Sequence, residues 1–181
     1  MQMKGFILQA NTETKRWNTG KKMEAKSTDG RRFKLIDKGQ PLGEIIYNNA
    51  FTLKAEIYLT DGDRYKIAPK GIFGTSVTLT KNEVEVATLV MNWSGHIVIT
   101  IPNRDEFIFR LNGFFSNKYI LENKEHEQLI QLEFNFIWRK LQYQYNITCN
   151  VEYQNNEENI LLLLLCIYSV NYYAATLLGM S

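Results

Sequence analysis

Six basic residues near the start of the chain offer the clearest chemistry in the sequence. They are Lys15, Arg16, Lys21, Lys22, Arg31 and Arg32. Guanidinium and ammonium groups bind phosphate oxygens, so a patch of them would suit a lipid phosphate or another polyanion. If the hairpins predicted for residues 15–37 pack side by side, these six side chains form one anionic-ligand patch.

The charge distribution along the chain supports this interpretation. Residues 1–40 carry ten Lys or Arg and four Asp or Glu, whereas residues 41–181 carry eleven and fifteen. The alternative is that the cations only line the solvated outer faces of strands, where charges need no partner. Only Trp17 and Phe33 supply aromatic rings nearby, which argues against binding of single-stranded nucleic acid.

Sites for catalysis or metal binding are not indicated. His96 and His126 lie thirty positions apart, and neither has a cysteine or carboxylate at zinc-ligand spacing. Asp61-Gly62-Asp63 would need more oxygen ligands to hold calcium, so a turn explains it better. No Gly-x-Ser-x-Gly elbow and no complete phosphate loop occurs. We therefore expect no catalytic residue, no metal and no cofactor.

Two short features bear on the compartment. Cys149 and Cys166 are too few for a disulfide framework, and their apolar neighbours predict buried free thiols. The apolar run at residues 6–8 is too short for the core of a signal peptide. These features predict a cytoplasmic protein, peripheral at the membrane where it binds lipid.

The elements that must position the basic residues read as short β-strands. Apolar and polar side chains alternate at residues 53–60, and again at 130–138, where Ile130, Leu132, Phe134, Phe136 and Trp138 share one face. Such alternation is typical of half-buried antiparallel strands. Turn signals recur about every eight to twelve residues, the spacing of a sandwich or barrel. We predict about twelve strands between residues 3 and 153, closed into an antiparallel barrel because closure removes exposed edges.

The alternation ends at a hydrophobic C-terminal run. Residues 160–178 have no polar face, so a helix there must be enclosed by protein or by lipid. Asn155-Asn156 offer a cap, and Glu157 and Glu158 suit the positive end of the helix dipole. A membrane anchor is the alternative, but no Lys or Arg follows Lys140 to mark an interface. We therefore predict a central helix at 157–178 that fills the barrel, and one domain spanning residues 1–181.

Three short motifs resemble the tubby-like superfamily, which includes the tubby C-terminal domain, phospholipid scramblases and LURP-one-related proteins. They are FKLIDKG at 33–39 followed by LGEI at 42–45, EVATL at 85–89 with Asn92-Trp93, and EENI at 157–160 before the leucine run. The resemblance is to small bacterial-type members and covers nearly the whole chain. It implies a closed barrel of about twelve strands around a central helix. It also implies that phosphoinositide binding or membrane action occurs in the family, although no functional residue can be matched individually.

Three functions follow as hypotheses. The first is a non-enzymatic barrel module that binds anionic lipid head groups or a protein partner through its basic N-terminal face. The second is a tail-anchored membrane protein with residues 160–178 as the transmembrane helix. The third is a small-ligand-binding barrel or enzyme, which is supported only by analogy with other barrel folds.

Overall fold

Twelve antiparallel strands follow one another around a closed barrel in the part of the chain that the structure describes. The computed structural model describes residues 20–27, 29–48, 53–70, 76–102, 106–113, 116–140, 142–150 and 156–177. The strands are β1 (Lys21–Ser27), β2 (Arg32–Asp37), β3 (Gln40–Tyr47), β4 (Ala55–Leu59), β5 (Arg64–Lys70), β6 (Ser76–Lys81), β7 (Val84–Met91), β8 (Ile97–Thr100), β9 (Glu106–Leu111), β10 (Lys118–Glu122), β11 (Gln128–Ile137) and β12 (Gln142–Cys149). Each strand pairs with its neighbours in sequence, and β1 pairs with β12 to close the ring. The predicted mainly-β, closed antiparallel barrel is confirmed.

The predicted turns close the hairpins. At Asp61-Gly62-Asp63 the backbone N–H of Asp63 donates to the Asp61 carboxylate at 3.0 Å, an Asx turn. Gly62 has φ of +100°, a conformation that favours glycine. Because consecutive strands are antiparallel neighbours, successive connections alternate between the two ends of the barrel.

The α-helix in the described part of the chain, α1 (Glu157–Leu177), lies inside the barrel as predicted. Asn156 caps it, since its side-chain oxygen accepts the backbone N–H of Asn159 at 2.8 Å. The side chains of residues 163–168 are buried among the inward strand residues. The helix is long and apolar enough to cross a membrane, yet most of it is covered by protein.

The helix and the barrel wall approach each other closely at β3. A Cβ added to Gly43 would lie 2.9 Å from the carbonyl oxygen of Tyr58 and 3.1 Å from Cδ1 of Leu164. A larger residue at position 43 would therefore push against both the neighbouring strand and the helix. The absence of a side chain at Gly43 lets α1 pack directly against the wall.

Polar side chains on the helix form hydrogen bonds both to the barrel wall and within the helix. The hydroxyl of Tyr145 donates to Asn171 at 2.7 Å, and the Asn171 amide donates to the hydroxyl of Tyr47 at 2.9 Å. Ser169 donates to the Leu165 carbonyl at 2.8 Å. The two bonds of Asn171 to the wall fix the rotation of a helix that apolar packing alone would leave loosely specified.

The apolar face predicted along β11 is only partly buried. The face predicted to point inward along β11 is buried at Ile130 and Leu132, but Phe134 and Phe136 are half-buried and Trp138 is 79% exposed. The reason is that β11 runs beyond its neighbour β10 and ends in a 3₁₀ turn, Trp138–Lys140. The first part of the range predicted to form strands, residues 3–19, lies outside the described residues.

The two cysteines are buried and free, as predicted. Burial raises the pKa of the Cys149 thiol to about 12. A thiol held neutral in this way is a poor nucleophile and a poor metal ligand.

Candidate functional site

The predicted basic residues fall into two pairs at opposite ends of β1. Lys21 and Lys22 begin the strand, whereas Arg31 and Arg32 follow the turn at its other end. A seven-residue strand separates the pairs by about 20 Å at roughly 3.3 Å per residue. Lys15 and Arg16 lie outside the described residues. The hairpin does fold as predicted, but strand length keeps its two basic pairs apart.

Lys21 and Lys22 differ in their surroundings. Lys21 shares the inward register of Met23, and its ammonium lies 2.9 Å from a carboxylate oxygen of Asp37. Lys22 points outward and is exposed. Lys21 therefore belongs to a polar pair at the barrel mouth and is a poor candidate for contact with an external ligand.

The barrel segregates charge between its two ends because alternate turns meet at the same end. We call the end at which α1 finishes the basic end. Its described turns and strand-terminal positions carry a single acid, Asp29, and seven cations: Arg31, Arg32, Lys54, Lys70, Lys118, Arg139 and Lys140. We call the opposite end the acidic end. Its described turns, strand-terminal positions and first helical turn carry five cations and ten acids: Asp37, Asp61, Asp63, Glu83, Glu106, Glu122, Glu125, Glu127, Glu157 and Glu158.

Four of the seven cations at the basic end have no ion pair among the described residues: Arg31, Lys54, Arg139 and Lys140. The other three each approach a carboxylate on a neighbouring part of the sheet. Arg32, for example, lies 3.7 Å from Glu44. Four of the seven cations at this end can therefore bind an external anion without first breaking an ion pair.

The one acid at the basic end is committed to its own turn. The Asp29 carboxylate accepts the backbone N–H groups of Arg31 and Arg32, each at 2.9 Å. The bond from Arg32 is the main reason that the pKa of Asp29 lies below its ordinary value. Asp29 therefore orders the turn through backbone bonds, and the side chains of Arg31 and Arg32 are exposed.

Aromatic rings link the β1–β2 turn to the β11–β12 turn. A Cβ added to Gly30 would lie 3.3 Å from the ring of Tyr143. That ring lies 5.0 Å from the ring of Phe136, which meets Trp138 edge to face at 4.7 Å. Trp138 is largely exposed and precedes Arg139 and Lys140. Exposed indole and unpaired cations thus lie side by side on two adjacent turns.

The acidic end contains a compact ion cluster. Carboxylate oxygens of Asp61, Asp63 and Glu157 lie within 4.8 Å of one another, close enough to share a cation. The ammonium of Lys81 bonds to Asp63 and lies 3.2 Å from Glu157. The bond from Lys81 is the main reason that the pKa of Asp63 is lowered. The cluster therefore already contains its cation, and it ties α1 to the barrel wall.

The histidines lie at opposite ends of the barrel. His96 follows a turn at the basic end and is half-buried, whereas His126 lies in an exposed turn at the acidic end. They cannot act on one ligand.

The predicted basic patch did not include Trp138, Arg139 and Lys140, because these residues lie far from Arg31 in the sequence. The signal that could have identified them is the order of the turns along the chain, because odd-numbered and even-numbered turns lie at opposite ends of the barrel. In a barrel of simple hairpins, every second turn lies at the same end, so the charges of alternate turns can be added before the structure is known.

The comparisons with known proteins give no family. No protein-family model, no curated protein and no solved structure matches the chain. The structure shows the closed barrel with its central helix, and these comparisons assign it no family.

Proposed function

We propose that this chain is a non-enzymatic module that docks on an anionic lipid surface through its basic end. The observation that carries the proposal is the segregation of charge, with seven cations against one acid at a single end of the barrel. Exposed Trp138 among those cations supports a lipid partner, because indole rings favour the interface between head groups and acyl chains.

The helix dipole does not account for this segregation. Its influence fades within the last turn of a helix. The cations of the basic end are spread over the turns around the rim, several strands away from one another. The dipole does suit the acidic end, where Glu157 and Glu158 occupy the first turn of α1.

The expected strength is modest and depends on salt. Each Lys or Arg near an anionic membrane contributes about 1 kcal/mol, so four unpaired cations supply roughly 4 kcal/mol. Screening over about 8 Å at physiological ionic strength weakens this attraction as salt rises. Such a module binds the membrane reversibly, and its affinity rises where anionic lipids cluster.

Membership of the tubby-like superfamily stays a prediction. The closed barrel around a helix is the fold that the resemblance implies, but many unrelated functions share folds, so this agreement assigns neither a family nor an activity. The proposal of lipid binding depends on the charges and rings of this chain. We do not favour the tail anchor, because α1 would have to leave the barrel and expose the inward faces of the strands.

Co-sedimentation with vesicles tests the proposal. The double variant Arg31→Glu and Lys140→Glu changes two exposed residues of the basic end that have no ion pair in the described structure. The control is Lys22→Glu with Lys124→Glu, which makes the same change of charge at two exposed positions, one next to the acidic end and one in its β10–β11 turn, where Lys124 lies 3.9 Å from Glu125. Removal of two cations alone predicts about 30-fold weaker binding to vesicles that contain phosphatidylserine.

The expected pattern is strong loss for the first variant and near-normal binding for the control. Equal loss in both variants would mean that net charge, and not the basic end, controls binding. The proposal would be rejected if binding did not depend on the fraction of anionic lipid in the vesicles, or if the protein bound only an added protein or nucleic acid.

A further inference from the structure

Trp93 is a second exposed indole at the basic end, in the turn between β7 and β8. Its side chain is fully exposed. The turn is held by Asn92, whose side-chain oxygen accepts the backbone N–H groups of Ser94 and His96, both at 3.0 Å. The backbone N–H of Asn92 also donates to the carbonyl of His96 at 2.8 Å. The ring is therefore displayed on an ordered turn.

The central helix fixes this turn relative to the rest of the basic end. The hydroxyl of Tyr173 on α1 donates to the carbonyl oxygen of Gly95. On the other side of the barrel, Asn171 of the same helix bonds to Tyr47 and Tyr145. One rigid helix thus connects both sides of the rim, so the turns keep their relative positions along the barrel axis.

Trp93 and the β1–β2 turn lie on opposite sides of the rim. In the closed order of twelve strands, the β7–β8 turn is six strand positions from the β1–β2 turn and four from the β11–β12 turn. A barrel of this size is roughly 25 Å across, given about 4.8 Å between tilted strands. If the barrel lay on its side, the β1–β2 and β11–β12 turns could touch a membrane while Trp93 stayed in water.

We infer that the barrel stands upright on an anionic bilayer, with Trp93 and Trp138 both in the interface and the barrel axis close to the membrane normal. This inference depends on the proposed function. The occupant is a lipid surface because unpaired cations lie on three neighbouring turns of the rim, β11–β12, β1–β2 and β3–β4, and the paired cations Lys70 and Lys118 lie on the turns nearer Trp93. A bilayer supplies anionic charge across the whole width of the barrel. The acidic end, with the start of α1, then faces away from the membrane.

Fluorescence quenching by brominated lipid tests this orientation. The chain contains three tryptophans, so two variants are needed, each keeping Trp93 or Trp138 alone and carrying Phe at the other two positions. Vesicles of phosphatidylserine and brominated phosphatidylcholine are used, and co-sedimentation measures the bound fraction in the same samples. We expect quenching and a blue shift of emission for both indoles.

Quenching of Trp138 alone, in a sample that is bound, would overturn the upright orientation and leave the proposed function standing. No binding in the co-sedimentation arm would overturn both. A second variant guards against misfolding of the single-tryptophan chains: Trp93→Ala in the otherwise unchanged protein should weaken vesicle binding about tenfold. Its control, Val84→Ala, removes exposed apolar surface at the acidic end and should leave binding unchanged.

Discussion

The side-chain amide of Asn171 on α1 donates a hydrogen bond to the hydroxyl of Tyr47 on β3, with 2.9 Å between nitrogen and oxygen. The residues are 124 positions apart, and the oxygen of Asn171 also accepts the hydroxyl of Tyr145. Because Tyr47 and Tyr145 are buried, removal of Asn171 would leave both hydroxyls without this partner. We expect Asn171→Ala to lower the free energy of unfolding by about 1–3 kcal/mol.

A double-mutant cycle with Tyr47→Phe measures the link itself. The coupling should be at least about 0.5 kcal/mol in urea unfolding, since the two groups bond directly. Asn171→Ala combined with Leu89→Ala on β7 serves as the control and should be additive. Additivity with Tyr47→Phe as well would show that the helix does not occupy this position in solution.

The contact between Gly43 and Leu164 predicts a second coupling. Gly43→Ala should destabilise the protein by about 1–3 kcal/mol, because its Cβ would press on the wall and on the helix. Leu164→Ala should cost about 2–5 kcal/mol through the cavity it leaves. Together they should cost less than the sum, since the smaller helix side chain relieves part of the clash. A full sum in chemical denaturation would contradict the packing of α1 against β3.

The ion cluster at the acidic end predicts a pH dependence. The pKa of Asp63 is lowered from its ordinary 3.8, chiefly by Lys81. Its carboxylate therefore stabilises the fold above pH 3.8, and this contribution disappears as the pH falls through the lowered native value. Lys81→Met should then be less stable than the parent protein at pH 6, with the difference shrinking towards pH 2.5.

The control for this pH profile is Lys66→Met, which removes an exposed ion pair with Glu83 at 3.3 Å. Exposed pairs of this kind contribute little, so thermal unfolding should change little at either pH. A constant difference between parent and Lys81→Met across the whole range would show that Lys81 acts through packing and not through charge.

Local patterns were sufficient to predict the strands, the hairpins and the enclosed helix. Alternation at residues 53–60 reports burial directly, because one face of each strand is covered by α1. The run at 160–178 has no polar face, which only enclosure explains, and Asn156 caps it as predicted. These features depend on residues that are near one another in the sequence.

The composition of the candidate site could not be predicted in the same way. Lys21 and Arg31 are ten positions apart, yet a full strand places them at opposite ends, whereas Arg31 and Lys140 lie on neighbouring turns because β1 pairs with β12. The exposure of Trp138 follows from the extra length of β11 relative to β10, a difference that alternation does not reveal. Ring closure and strand length decide which turns become neighbours.

Hydrogen–deuterium exchange with and without phosphatidylserine vesicles tests most directly that the basic end meets the membrane. The account predicts slower amide exchange on binding in the turns at residues 29–32, 92–96 and 138–140, with unchanged exchange at 60–63 and 123–127. Slower exchange at the acidic-end turns, or none at the basic end in a sample that is bound, would contradict it.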